Sequence, residues 1–310
     1  MARMVCAPKH GRITHTHYRV CMHTRTTLIH QRFDKMQNRL NFSKTLDYIR
    51  GLETGSHGIV FYRSPNEKHE VLFNYLQAGI QKGEGAIYVS SQETSKQIRR
   101  PMEDFGLNVK TLERDGVLRI LDYDEFYIID GEVNAPHTIM LGMRMLEEAM
   151  DIGLKGLHTC GEAACFFEHK KERELVEYEL GLGRKLDLPV TVLCAYDVNH
   201  AKSLEEKLFF SLIKAHGPIV TPSFSQEVNF ESFFPTIIEG VLENVFGEMG
   251  KEVILIMLDK HHSLTPGERE RRVAEDPEFF VEGLEELVGS GAVVITKSVA
   301  REMFWKMGIT

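Results

Sequence analysis

Cysteine and long apolar runs are both scarce in this 310-residue sequence. The five cysteines are an odd number at irregular spacing, which argues against a disulfide framework and favours a reducing compartment. No apolar run approaches the roughly 18 residues that cross a bilayer, and the first thirty-odd residues lack the apolar core of a secretory signal. We therefore predict a cytoplasmic protein that is not inserted in a membrane.

Basic residues are fewer than acidic ones. The sequence has 37 Lys and Arg and 45 Asp and Glu, which gives a formal net charge of −8. Residues 1–35 carry seven of the basic residues and a single acid, so the rest of the chain is more acidic still. An acidic surface disfavours contacts with phosphate backbones. We expect no direct nucleic-acid partner.

The N-terminal segment, residues 1–35, has no sustained helical or strand period and holds five of the fourteen histidines. Such a composition buries too little apolar surface to order itself, so we predict a disordered extension. A metal site within this segment is a weaker alternative, and its ligands would be His10, His15, His17, Cys21 and His23.

From Gly58 onward, short apolar runs alternate with amphipathic stretches, as in βαβ units around a mostly parallel sheet. About five strands precede residue 217. The alternation then stops, and a stripe of phenylalanine and aliphatic residues begins at Phe230, in a part of the chain with a helical pattern. We predict an α/β domain over 36–217 and a small all-α domain over 228–310.

No phosphate-binding glycine motif follows the first predicted strand, "GIVFY". Neither GxxxxGK[ST] nor GxGxxG is present, and the turn "RSPNEKHE" carries proline and acidic side chains that disfavour a polyphosphate. ATP hydrolysis is therefore not expected and no cofactor is predicted. Nucleotide binding without hydrolysis stays open as an alternative.

Polar side chains stand where the predicted strands end, and ligands of α/β sheets bind beyond those carboxyl ends. We predict a small-molecule site formed there by Tyr62, Arg63, Ser64, Ser90, Ser91, His158, Cys160, Gly161, Glu162, Tyr196 and Asp197. Glu162 has two interpretations, a general base or a carboxylate that accepts backbone N–H bonds next to a helix.

A zinc site is the less favoured interpretation of the same region. Its candidate ligands are His158, Cys160, Cys165 and His169. No C-x-x-C pair is present, and a free cysteine commonly serves only in packing. We therefore predict no metal.

The segments "HGIVFYRSPNEKHEVLFNYLQAGIQKGEGAIYVSS", "LHTCGEAACFF", "LVEYELGLGRKL" and "VLCAYD" together resemble the MEDS sensory domain over about residues 56–200. The resemblance implies an input module with a RecA/KaiC-like fold that lacks the phosphate loop and senses small hydrocarbon-derived compounds. The family pattern marks His57, Tyr62, Gly83, Glu84, Gly161, Glu162, Tyr178, Glu179, Tyr196 and Asp197. Cys160 departs from it, because the family has threonine there.

The C-terminal segments "ENVFGEMGKEVILIML" and "DPEFFVEGLEELVGSGAVVI" faintly resemble a helical domain that follows sensory modules in some archaeal proteins. We expect a non-enzymatic sensory protein that signals through this part, with a signalling or transcription protein as partner and with self-association open. One alternative is an enzyme that uses Glu162 with the thiol of Cys160 or Cys165. The other is a scaffold derived from an ATPase fold.

Overall fold

The computed structural model describes residues 41–309, so the predictions made for residues 1–35 and their metal ligands lie outside the described residues. Within the described part, the strands are β1 (His57–Tyr62), β2 (Gly85–Ser90), β3 (Leu118–Asp122), β4 (Ile128–Ile129), β5 (Glu132–Val133), β6 (Leu157–Glu162), β7 (Val190–Asp197), β8 (Pro218–Thr221) and β9 (Phe224–Glu227).

Helices fill most of the intervals between the strands and nearly all of the C-terminal part. They are α1 (41–50), α2 (Pro65–Lys82), α3 (Ser95–Phe105), α4 (Val109–Arg114), α5 (Ala135–Asp151), α6 (Ala164–Glu168), α7 (Glu172–Leu182), α8 (Val198–Ser203), α9 (Glu206–Ala215), α10 (Phe230–His262), α11 (Pro266–Glu275), α12 (Pro277–Val288) and α13 (Ala292–Lys306). None of the helices in residues 41–309 is long and apolar enough to cross a membrane.

One seven-stranded sheet has the order β3-β2-β6-β7-β1-β8-β9, and all neighbouring pairs except β8–β9 are parallel. The predicted α/β class with a mostly parallel sheet is confirmed, as are its five strands before residue 217. Strands β8 and β9 were not predicted; they are four residues each and lie where we expected a domain boundary. The division into domains stays a prediction.

The two faces of the sheet carry different helices because successive strand side chains point to opposite sides. Val60, Tyr62 and Tyr88 pack with α2, α3 and α4 in one apolar cluster. Ile59 and Phe61 pack on the other face, in a cluster that includes α5, α7 and α9. The connections that leave β2 and β6 therefore run to opposite faces, and this junction is where ligands of such sheets usually bind.

The C-terminal helices belong to the same apolar cluster as the second face, which extends from Ile59 to Ile309. Phe230 and Phe234 of the predicted stripe are buried in it, whereas Val245 is exposed. At Gly247 the φ of +72° interrupts α10, a backbone conformation that glycine adopts without strain. The helical character of this part is confirmed.

Candidate functional site

The Glu162 carboxylate lies at the centre of a group of polar contacts at the carboxyl edge of the sheet. It is fully buried, and its Oε2 accepts hydrogen bonds from the backbone N–H of Ser91 (3.2 Å) and Gln92 (2.8 Å). Its Oε1 lies 2.8 Å from Lys68 Nζ and accepts a hydrogen bond from the hydroxyl of Tyr88. Both carboxylate oxygens therefore have protein partners, and these come from α2, β2 and the β2–α3 turn.

Lys68 reaches this edge from α2 and is itself only 1% exposed. Its Nζ also lies 3.2 Å from Glu93 Oε2 and donates to Gln92 Oε1, which in turn accepts from the Tyr62 hydroxyl at 2.9 Å. Tyr62 and Glu162 were predicted from the sequence. The other three members, Lys68, Gln92 and Glu93, were not. Helical position alone gave no signal that Lys68 points inward.

Three of the predicted residues have local structural partners. Ser64 caps α2 by accepting from the N–H of Glu67, and Asp197 caps α8 by accepting from the N–H of Asn199. Arg63 forms an exposed ion pair with Glu67. The turn between β1 and α2 has only these two residues, Arg63 and Ser64, so it is too short to cradle a phosphate.

Two other predicted residues, His158 and Tyr196, do not join the edge. His158 packs beneath α2, where a Cβ on Gly79 would be 2.4 Å from its ring, and burial lowers its pKa to about 4. Tyr196 points to the opposite face and donates to Glu179 Oε1 at 2.6 Å. The expected convergence therefore holds for Tyr62, Ser91 and Glu162. It does not hold for His158 or Tyr196, nor for Cys160 and Gly161, which pack against α2 and on the opposite face, respectively. The ligand-binding role of all eleven residues stays a prediction.

The candidate thiols are poorly placed for nucleophilic chemistry. Burial raises the pKa of Cys160 well above its usual range and that of Cys165 to about 12, which disfavours the reactive thiolate. Cys160 packs on the α2 face, while His169 hydrogen-bonds Tyr123 near α6. Among residues 41–309, the groups of side chains close enough to share a metal ion do not include the predicted set.

An apolar cavity of about 120 Å³ lies on the opposite face, over β2, β6 and β7. Its roof is α5, with Ile139, Gly142 and Met143, and its floor includes Gly161 and Cys194. At Gly161 an added Cβ would lie 1.8 Å from the Tyr127 hydroxyl, so the floor is closely fitted there. Ile139, Met143 and Leu188 are 37–39% exposed, and they form an apolar mouth open to solvent.

Four buried polar side chains meet on the same face: His57, Glu179, Cys194 and His216. Burial lowers the pKa of His216 to about 3, so its imidazole is neutral. Burial alone would raise the pKa of Glu179, but hydrogen bonds from His57 and Tyr196 lower it to about 2. This group could hold a cation, and it was not predicted from the sequence.

A family model described as the methanogen/methylotroph, DcmR sensory domain, or MEDS, matches residues 56–216. The chain belongs to the MEDS family. Membership supports a sensory or regulatory role in general terms.

Among solved structures, the MEDS chain is similar to a KaiC-like protein from the hyperthermophilic archaeon Pyrococcus horikoshii OT3. The identity is 18%, the TM-score is 0.42, and the match covers 55% of this chain and 72% of that one. No curated protein matches the sequence.

Proposed function

We propose that this MEDS protein senses a small apolar molecule, which binds in the cavity between α5 and the face of the sheet. The single observation that carries the proposal is the cavity itself, whose walls are mostly aliphatic and aromatic and whose mouth is lined by Ile139, Met143 and Leu188. Pockets of this kind bind ligands through the burial of apolar area.

The size of the cavity limits the class of ligand. A cavity of about 150 Å³ with aliphatic and aromatic walls stays dry and binds benzene or xenon, so one of about 120 Å³ fits a molecule of at most one small ring or a few carbons. That size agrees with the hydrocarbon-derived compounds that the family resemblance implies. The carboxyl-edge residues around Glu162 already have protein partners, which leaves them less suited to a small ligand.

A packed route leads from the cavity to the C-terminal helices. Tyr178 of α7 lines the cavity, α7 packs against α9, and α9 packs against α12 and α13. A ligand that prefers one position of α7 would bias this stack through its different contacts in the two states. We propose that the helical part passes this change to a protein partner in the cytoplasm.

Filling the cavity tests the proposal. Gly142 lines it, and no atom lies within 4 Å of a Cβ added there, so Gly142→Leu places a side chain in the cavity without a backbone clash. The matched control is Gly181→Leu on α7, where an added Cβ also meets no atom but which does not line the cavity.

The measurement is the shift in melting temperature with benzene and with dichloromethane as probes. Ligand at a hundredfold excess over Kd stabilises the folded state by about 2.7 kcal/mol. We expect a concentration-dependent rise for the unmodified chain and for Gly181→Leu, and none for Gly142→Leu. A rise that survives in Gly142→Leu would place binding elsewhere, and no rise in any variant would contradict the proposal.

A further inference from the structure

Four metal-ligating side chains from distant parts of the chain meet in one buried cluster. His57 begins β1, Glu179 lies on α7, Cys194 lies on β7, and His216 follows α9. Each is at most 4% exposed, and one ligand atom from each lies within 4.8 Å of every other. Imidazole nitrogen, thiolate sulfur and carboxylate oxygen are the ligand atoms that zinc takes in proteins.

The four ligand–ligand distances that the structure gives are close to those of a tetrahedral zinc site, and the other two are within 4.8 Å. Zinc bonds of about 2.0–2.3 Å place neighbouring ligand atoms roughly 3.3–3.8 Å apart. Glu179 Oε2 lies 3.1 Å from His57 Nε2, 3.5 Å from Cys194 Sγ and 3.7 Å from His216 Nε2. Cys194 Sγ also lies 3.5 Å from His57 Nε2. Small shifts of the side chains would therefore complete a closed four-ligand site.

Hydrogen bonds behind the cluster hold the ligands in the orientation that a metal requires. Both histidines place Nδ1 against a backbone carbonyl oxygen, His57 at 2.7 Å from Gly183 and His216 at 2.8 Å from Leu212. A carbonyl only accepts, so each Nδ1 carries a proton and each Nε2 faces the cluster. Tyr196 donates to Glu179 Oε1 and leaves Oε2 free to face inward. Partners of this kind orient metal ligands in proteins.

Within this cluster, His216 Nε2 is the ligand atom that the protein alone leaves unsatisfied. It is buried and has no hydrogen-bond partner. A proton on His57 would pair its Nε2 with Glu179, but it would still leave the lone pair of His216 facing a carboxylate oxygen. Leaving a buried acceptor without a partner is unfavourable. A cation at the centre satisfies all four groups at once.

We propose that His57, Glu179, Cys194 and His216 together bind one Zn²⁺ ion. With four protein ligands the site is closed and structural, and it ties β1, α7, β7 and the end of α9 together. Binding releases the Cys194 thiol proton to solvent, as ligation by thiolate requires. The site does not depend on the proposed small-molecule function, although Cys194 also lines the apolar cavity.

Metal content and Co²⁺ spectra of the full chain test the proposal. The histidines and cysteines of residues 1–35 could bind metal independently, so the parent for all measurements is a full-length chain with those residues replaced by asparagine and serine. Because the cluster is buried, metal should enter during folding. We expect about one zinc per chain by mass spectrometry after refolding with ZnCl₂.

Refolding the same parent with CoCl₂ should give the strong visible bands of tetrahedral Co²⁺ and a thiolate charge-transfer band in the near ultraviolet. Cys194→Ser should lose the charge-transfer band, while Cys165→Ser, another buried cysteine, should keep it. His216→Gln should weaken the affinity at least tenfold, and His158→Gln should not.

The readouts on the parent do not depend on whether a variant folds. A parent that refolds to the same circular dichroism with and without metal, and that holds neither Zn²⁺ nor Co²⁺, would overturn the proposal. So would a charge-transfer band that persists in Cys194→Ser and vanishes in Cys165→Ser. A parent that holds about one zinc per chain but does not bind benzene would contradict only the proposed small-molecule function.

Discussion

Replacing Lys68 with methionine should destabilise the fold strongly, because it removes the ammonium partner of a fully buried carboxylate. Lys68 is 1% exposed, Glu162 is 0% exposed, and their charged atoms are 2.8 Å apart. Breaking a buried pair on one side costs about 3–5 kcal/mol. Glu162 keeps the Tyr88 hydroxyl and two backbone N–H donors, so we expect a loss near the lower value, about 3 kcal/mol.

A double-mutant cycle measured by urea unfolding separates the pair from its surroundings. Lys68→Met and Glu162→Gln should each lower the free energy of unfolding. The loss in the double variant should be smaller than the sum of the two single losses by about 2 kcal/mol or more. The matched control is Arg100→Met, which removes an exposed i,i+4 partner of Asp104 on α3 at 3.9 Å. Exposed pairs of this kind contribute little. If Lys68→Met lowers the free energy of unfolding no more than Arg100→Met does, the buried Lys68–Glu162 pair does not stabilise the fold as expected.

Two further outcomes follow from particular side chains. Burial, and then the charge of Lys82, lower the pKa of His158 in the folded chain to about 4. As the pH falls, the unfolded chain therefore binds a proton at His158 before the folded chain does. The free energy of unfolding should consequently fall as the pH drops from 6.5 to 4. The carboxyl group of Glu84 faces His158 Nδ1 and opposes this shift when it is charged. Between pH 7 and pH 5, His158→Gln should therefore lose less stability in urea melts than the unmodified chain, by at most about 2 kcal/mol, and an equal loss would contradict the argument. The single tryptophan, Trp305 on α13, is 60% exposed, so benzene binding should change its fluorescence if the α7–α9–α13 stack responds; an unchanged spectrum under saturating benzene would contradict that route.

The alternation of apolar and amphipathic segments was enough to predict the class of fold. Runs such as "GIVFY" and "VTVLCAYD" are strands, whereas "RSPNEKHE", which was interpreted as a turn, already contains the start of α2 at Pro65. The short strands β8 and β9 were not predicted, because four residues carry too little periodic signal and because β8 comes soon after the buried helix α9. The absence of a glycine-rich turn was also informative, since only two residues separate β1 from α2.

Side-chain clusters were much harder to predict than the fold. Glu162 was predicted from its place at a strand end, but Lys68 lies one turn into a helix, where the sequence does not say which lysine points inward. The cluster of His57, Glu179, Cys194 and His216 draws on segments up to 159 residues apart with no C-x-x-C spacing. Resemblance to the family marked His57 and Glu179, whereas Cys194 and His216 had no signal beyond their residue type.

The carboxyl edge of the sheet and the cavity on its face are suited to different kinds of ligand. At the carboxyl edge, a ligand that needs Glu162 must displace hydrogen bonds and an ion pair that the protein already makes, so binding there starts from a large desolvation cost. In the cavity, a ligand contacts aliphatic and aromatic walls, and each buried methylene contributes about 0.8 kcal/mol until the space is filled. Discrimination in the cavity therefore depends on size and shape far more than on charge. The close contact between Gly161 and Tyr127 makes the upper limit on ligand size stricter. The sheet cannot move away from a bulkier molecule without breaking the hydrogen bonds between its parallel strands.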